Sequence, residues 1–192
     1  MRKIILASSS PRRIKILKEL GLKFTKSHPD VEEKIRKGET PKKFAVRCSL
    51  DKARAVARKE SGLIIAADTI VVLNNKVIGK PKDKKDAVRI LKQLSGKTHK
   101  VITGITVLDT GTGIAKSDFE ETDVFITKMD NNEIDLYIKT HEPLDKAGAY
   151  AAQGKGAVLV EGVKGDFFNV VGLPVFKLNK LLKYFNINLI NI

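Results

Sequence analysis

Asp68 stands inside the run Leu63 to Leu73, which apart from this residue and Thr69 is built of apolar side chains. An ionised carboxylate in such a run costs free energy unless it is paired, hydrated or bound to a cation, so Asp68 is the first candidate for chemistry. Magnesium and similar hard cations take oxygen ligands and keep waters and substrate phosphates in their shell, and Asp68 together with Glu32 or Glu33 would supply such ligands. A site of that kind polarises a phosphoryl group and helps to deprotonate water. Taken alone, the two glutamates read first as a solvated surface loop, while for Asp68 a functional role stands ahead of a hydrogen-bonded strand end.

A second candidate is Ser8 to Arg13, a polar stretch between an apolar strand and a helical stripe. The backbone N–H groups and dipole of a helix start receive anions, and Arg12 and Arg13 would add forked donors to a phosphate. The same residues also describe an ordinary helix cap followed by two exposed arginines. Lys80, in Gly79-Lys80-Pro81, could neutralise a phosphate where glycine permits close approach and proline fixes the backbone. In a chain this rich in lysine it reads, taken alone, first as a surface residue.

Several other chemistries fail on spacing. Gly96-Lys97-Thr98 resembles the end of a phosphate-binding P-loop, but Leu91 stands where the first glycine belongs and the segment follows a helix. Gly111-Thr112-Gly113 lacks the third glycine and the following helix of a dinucleotide fingerprint, and is read as a turn. No Gly-x-Ser-x-Gly elbow occurs, and Cys48 falls on a predicted helix among Leu, Val and Ala, which makes it a core residue. A single cysteine and three histidines exclude an internal disulfide and argue against a Cys/His zinc site, so any metal would be held by oxygen.

The elements that must position these residues follow from periodicity. Lys3 to Ala7 predicts a strand, and the stripe Ile14, Leu17, Leu20 predicts a helix after Pro11. Leu22 to His28 reads as a second strand, followed by an acidic loop from Asp30 to Glu33. Thr40-Pro41 caps a helix running towards Glu60, with Lys52 on it. Leu63 to Leu73 is a strand turned by Asn74-Asn75 into Lys76 to Ile78. Asp83 caps a helix through Leu94, His99 to Leu108 and Ile114 to Thr127 form an antiparallel hairpin, and Asn131 to Thr140 is a short helix. Val158 to Val163 is another strand, and Pro174 opens a terminal helix through Phe185. The expected fold is mixed α/β, a long twisted sheet flanked by helices.

With 192 residues and 42% hydrophobic content the chain can bury a core as one domain or two closely joined lobes. Ile4 to Ala7 is too short for a signal-peptide core, and no segment approaches the roughly 18 apolar residues of a membrane span, so a soluble cytoplasmic protein without a membrane partner is expected. The net charge of +14 would suit nucleic acid, a membrane surface or phosphorylated small molecules. Its lysines are mixed with acids, as in Lys82 to Asp86, and aromatics are only 6% with no Trp, which favours a solvated surface over a nucleic-acid face.

The blocks ILASSSPRRIKILKELGLKF, AADTIVVLNNKVIGKP, LSGKTHKVITG, EPLDKAGAYAAQG and GDFFNVVGLP, in one order, resemble the Maf family of nucleoside triphosphate pyrophosphatases, a resemblance that covers the chain from Ile4 to Leu182. The resemblance implies a single Maf-type catalytic domain over residues 1–192, with an ITPase-like sheet and two lobes with a cleft. It implies that Ser8, Arg12, Arg13, Lys52 and Lys80 contact phosphate or nucleotide, and that Glu33 and Asp68 serve a Mg2+ or Mn2+ ion and water. Asp68 matches the family's proton acceptor, while Arg12, Thr69 and Gln153 match positions associated with base specificity. The branch with Pro-Arg-Arg, Asp-Thr and Ala-Gly-Ala-Tyr before Gln-Gly is linked to dTTP and UTP, and the branch handling 7-methyl-GTP differs around those positions. A side-chain amide at Gln153 offers both a donor and an acceptor to the O4, N3–H edge of thymine or uracil. Ala151-Ala152 replaces a commoner Gly-Ile and Glu32 a commoner Asp, departures that bear on fine specificity. The resemblance also suggests a homodimer. Two alternatives remain at this point: a broad house-cleaning pyrophosphatase for non-standard nucleotides, or a nucleic-acid-binding regulator, suggested by the charge and by the family's association with cell division.

Overall fold

The structure, a computed structural model, describes residues 2–192. Its sheet has seven strands, in the order β2 (Thr25–Lys26), β1 (Ile4–Leu6), β3 (Leu63–Leu73), β5 (Thr98–Asp109), β6 (Ala115–Ile126) and β7 (Val160–Lys164), with β4 (Lys76–Ile78) paired to β3. The spine is β3 (Leu63–Leu73), buried at every residue except the half-buried Thr69, as expected of a strand covered on both faces. Beside it β1 (Ile4–Leu6) runs parallel, with Ile4, Ile5 and Leu6 opposite Leu63, Ile64 and Ile65. β4 (Lys76–Ile78) returns antiparallel through Asn74 and Asn75, whose φ values of 50° and 61° suit a tight hairpin in which asparagine tolerates the left-handed region. β5 (Thr98–Asp109) and β6 (Ala115–Ile126) are joined by a turn in which Asp109 exchanges backbone hydrogen bonds of 2.9 Å with Gly113 and Ile114.

Helices α1 (Pro11–Glu19), α3 (Lys84–Leu94), α4 (Asn131–Lys139) and α6 (Val175–Lys183) lie where periodicity and capping residues put them. α2 (Pro41–Ala57) starts as read, Thr40 Oγ1 accepting from Lys43 N at 3.4 Å with proline in the first turn. It buries Phe44, Ala45, Cys48, Lys52, Ala53 and Val56, an i, i+4 stripe against the sheet. The contact is backbone on backbone at Gly104 of β5, where any Cβ would run into the Ala45 carbonyl and the Val46 amide.

Three expectations change. The strand over Leu22 to His28 contracts to β2 (Thr25–Lys26), an exposed edge pair held by β1 alone. The expected strand from Val158 begins as a 3-10 turn, Gly154–Leu159, and only then becomes β7 (Val160–Lys164). A short helix, α5 (Phe167–Val171), appears where none was expected, started by Asp166, whose Oδ1 accepts from Phe168 N and Asn169 N at 2.8 and 3.2 Å. Among the described residues no helix is long and apolar enough to cross a membrane.

The chain divides into two compact units, residues 1–68, 103–120 and 172–192 in the first and 69–102 and 121–171 in the second. The core of the first includes Ile5, Ala7, Ala53, Val56, Ile64 and Leu108. In the second, Val71, Ile90, Leu91, Leu94, Val124 and Ile134 pack together.

The second unit also holds a buried polar pair, His99 Nε2 and Tyr150 Oη at 2.7 Å, the rings edge to face at 5.3 Å. Burial pushes the His99 imidazole down to about 4, against the smaller opposing pull of Asp123, and drives the Tyr150 phenol up. The native protein therefore takes up this proton later than the unfolded chain as pH falls. Stability is full above the ordinary histidine value near 6.5 and is lost between there and about 4, by up to about 3 kcal/mol. Urea midpoints at pH 7 and pH 4.5 check this: His99→Gln should flatten the difference, and an unchanged difference would show that another group carries it.

Candidate active site

In the first unit the segment joining β1 to α1 carries Ser8, buried, whose Oγ accepts from Ser10 N at 3.1 Å and from Arg13 Nη1 at 3.3 Å. Arg13, in the first turn of α1, is also buried, and its Nε donates to the Gly172 carbonyl at 2.7 Å. Of the two readings of Pro-Arg-Arg, a pair of exposed arginines therefore fails at Arg13, while Arg12 is half-buried. Burial lowers the Arg13 guanidinium pKa; Asp68 and Glu33 oppose the shift and Arg12 adds to it, so the four charges act within one field.

The centre of this field is an ion-paired trio. Lys52, on the buried face of α2, brings Nζ to 2.5 Å from Asp68 Oδ1 and 2.6 Å from Glu33 Oε1. Asp68 is 4% exposed and Lys52 9%, so each charge is tolerated because the other is present. Of the two glutamates, Glu33 faces Lys52, whereas Glu32 pairs with Lys34.

Among the described residues no group of three or more His, Cys, Asp or Glu side chains converges as a metal cage. Two carboxylates, Glu33 and Asp68, meet through the Lys52 ammonium. One or two carboxylates completed by substrate phosphates and water is what magnesium takes in phosphoryl-transfer sites, so this donor set fits a cation that arrives with its substrate. Cys48, buried beneath α2, has its thiol pushed up to about 12 by burial first and the Asp68 charge second, which leaves it an inert core residue.

The remaining residues singled out in the sequence belong to the second unit. Thr69 follows Asp68 in β3 and is half-buried; Lys80, beyond β4, and Gln153 are exposed. The Gln153 segment is held by a side chain that sequence reasoning passed over. Glu142 accepts from Lys155 N and Gly156 N at 3.1 and 3.0 Å and from Tyr137 Oη at 3.0 Å, and Tyr137 Oη in turn accepts from Ala151 N at 3.1 Å. Gly154, at φ 70°, leaves the room this needs, since a Cβ there would lie 2.8 Å from Glu142 Oε2. The available signal was a carboxylate ahead of a glycine-rich stretch whose amides have no ladder to join.

The fold is similar to that of solved Ham1 proteins. The chain matches the Ham1 protein of Coxiella burnetii at a TM-score of 0.51 and 20% identity, over 82% of this chain and 91% of that one. It matches the Staphylococcus aureus Ham1 protein at 0.50 and 15%, over 82% and 79%. Within that architecture the particular lineage is clear, since the Maf-like protein family matches residues 3–185 and the chain belongs to it. It is 50% identical over 185 residues to the dTTP/UTP pyrophosphatase of Methanosarcina mazei, covering 95% of this chain and 94% of that protein. It is likewise 50% identical over 183 residues to the dTTP/UTP pyrophosphatase of Thermoanaerobacter sp. strain X514, covering 94% and 95%.

Proposed function

We propose that this protein hydrolyses dTTP and UTP to the monophosphate and pyrophosphate, water attacking the α-phosphorus with Asp68 as its base. The observation that carries the reading is the buried Asp68 carboxylate, 2.5 Å from the Lys52 ammonium that also meets Glu33, in a chain half identical to dTTP/UTP pyrophosphatases. Asp68 orients the attacking water and accepts its proton, and Lys52 holds the carboxylate in place for that transfer. Ser8, Arg12 and Arg13 receive the phosphates at the start of α1, where backbone amides and forked guanidinium donors favour an anion. Glu33 and Asp68 are the residues that would hold magnesium or manganese, which supplies neutralisation of the triphosphate charge. Arg13 and Lys80 offset the charge that develops on the departing pyrophosphate. Thr69 and Gln153 read the base. We assign the protein to the cytoplasm and, by family resemblance, to a homodimer.

Incubation with dTTP, UTP, CTP, GTP and 7-methyl-GTP plus metal, with monophosphate and pyrophosphate measured directly, tests the reading. Release of orthophosphate in place of pyrophosphate would overturn it, and equal turnover of the whole panel would favour a broad house-cleaning enzyme. Gln153→Glu removes the amide donor and adds a negative charge. It should lower kcat/KM for dTTP and UTP about tenfold relative to GTP, the equivalent of one lost hydrogen bond of about 1.4 kcal/mol. An unchanged substrate profile removes Gln153 from base recognition.

A further inference from the structure

The outer face of α2 forms, within the first unit, a basic pocket of 440 Å³ that none of the residues assigned to hydrolysis lines. Its volume lies in the range of small-molecule sites. Arg36, Lys43 and Arg54 present cations to it, and Val46, Leu50 and Phe119 supply an apolar floor. Lys42 Nζ stands 5.2 Å from the centre of the Phe119 ring.

The charges are sorted. Arg47 spends its guanidinium on the wall, donating from Nε and Nη2 to Glu39 at 2.6 and 2.9 Å, from Nη1 to Asp51 at 3.1 Å and from Nη2 to the Lys34 carbonyl at 2.8 Å. Its hydrogen bonds hold the Glu39 carboxyl down at about 2, so this acid is engaged in the clamp and charged at neutral pH. Among the described residues the side chains of Arg36, Lys43 and Arg54 carry no hydrogen bond or ion pair. Lys43 and Arg54 are 11 residues apart on one helix, about three turns and about 16 Å along its axis, so both leave its outer face with one cation towards each end of the pocket.

We propose that this pocket is a second nucleotide site, separate from the hydrolytic one, which takes a nucleoside monophosphate with its base on the Phe119, Val46 and Leu50 floor and its phosphate on Arg36 and Lys43 near the start of α2, Arg54 adding positive potential from the far end. An apolar floor with one aromatic ring, beside cations whose side chains carry no hydrogen bond among the described residues, matches a ring joined to a phosphate, as base stacking and charge-assisted hydrogen bonds require. One aromatic platform accommodates one base. A nucleic-acid strand would need successive platforms, and the lining offers only Phe119.

The test counts dTMP bound per chain by calorimetric titration of the intact protein. The double variant Lys43→Glu/Arg54→Glu should bind one fewer dTMP per chain than the wild type while its hydrolysis of dTTP stays within twofold. Equal stoichiometry in the two proteins overturns the proposal. Phe119→Ala, which leaves every charge in place, should weaken this class of site about tenfold for dTMP and leave pyrophosphate unaffected; unchanged dTMP affinity overturns the nucleotide in favour of a plain anion. An oligothymidylate bound more tightly than dTMP, with a steeper fall in salt and loss in the double variant, overturns it in favour of a strand.

Discussion

Asp68→Asn should lower the turnover of dTTP about 10³-fold with the fold intact. Asparagine keeps the volume and an acceptor for Lys52 but cannot take a proton from water, and positioned bases of this kind contribute roughly 10²- to 10⁴-fold, about 4 kcal/mol at the middle of the range. The 4% exposure of Asp68 means that bulk solvent cannot substitute for the missing base. Lys52 keeps Glu33 as a counter-charge in the variant, so the accompanying loss of stability is that of one charged hydrogen bond, about 1–3 kcal/mol, visible as a lowered urea midpoint. Steady-state release of pyrophosphate measures the effect, and undiminished turnover in a folded variant would remove Asp68 from the chemistry.

Lys52→Met should do more damage to the fold than its partner's replacement. It strips the counter-charge from Asp68, whose side chain is only 6% exposed, and leaves that carboxylate in the company of Glu33, a like charge. Breaking a buried pair from one side costs about 3–5 kcal/mol, because the survivor stays buried without compensation. Removing both charges is much less costly, so Lys52→Met/Asp68→Asn should be more stable than Lys52→Met alone. A double-mutant cycle in urea reads this directly, and simple additivity of the two single changes would show that the 2.5 Å contact contributes nothing in solution.

The sequence announced Asp68 through the cost of an acid in an apolar run, and the strand, turn and helix starts around it through local chemistry that the fold keeps, at Asn74-Asn75, Thr40-Pro41 and Asp83. What it withheld is what depends on distant residues. Nothing local distinguishes Glu32 from Glu33; only the fold carries Glu33 to a lysine on α2. Arg13 looked as exposed as Arg12 until Gly172, far along the chain, supplied its buried acceptor. The stretch from Glu142 to Leu159 has no regular hydrophobic period to read, being a series of short 3-10 turns, the last of which, Gly154–Leu159, is held by Glu142 accepting from the Lys155 and Gly156 amides. β2 was overextended because Leu22 is buried by packing after α1 without joining the sheet.

Gly104 has no side chain, and for that reason sets how accurately Lys52 can be aimed at Asp68. Its bare backbone lets α2 lie flush on β5 at Ala45, and Lys52 sits two turns further along the same rod. A single methyl at that seat would act as a shim under the rod, and an ångström of lift at one end reaches the ammonium at the other. Hydrogen bonds of 2.5 and 2.6 Å do not survive such a displacement. The alignment of the Asp68 carboxylate with Lys52 is thus guarded by a position that bears no functional group.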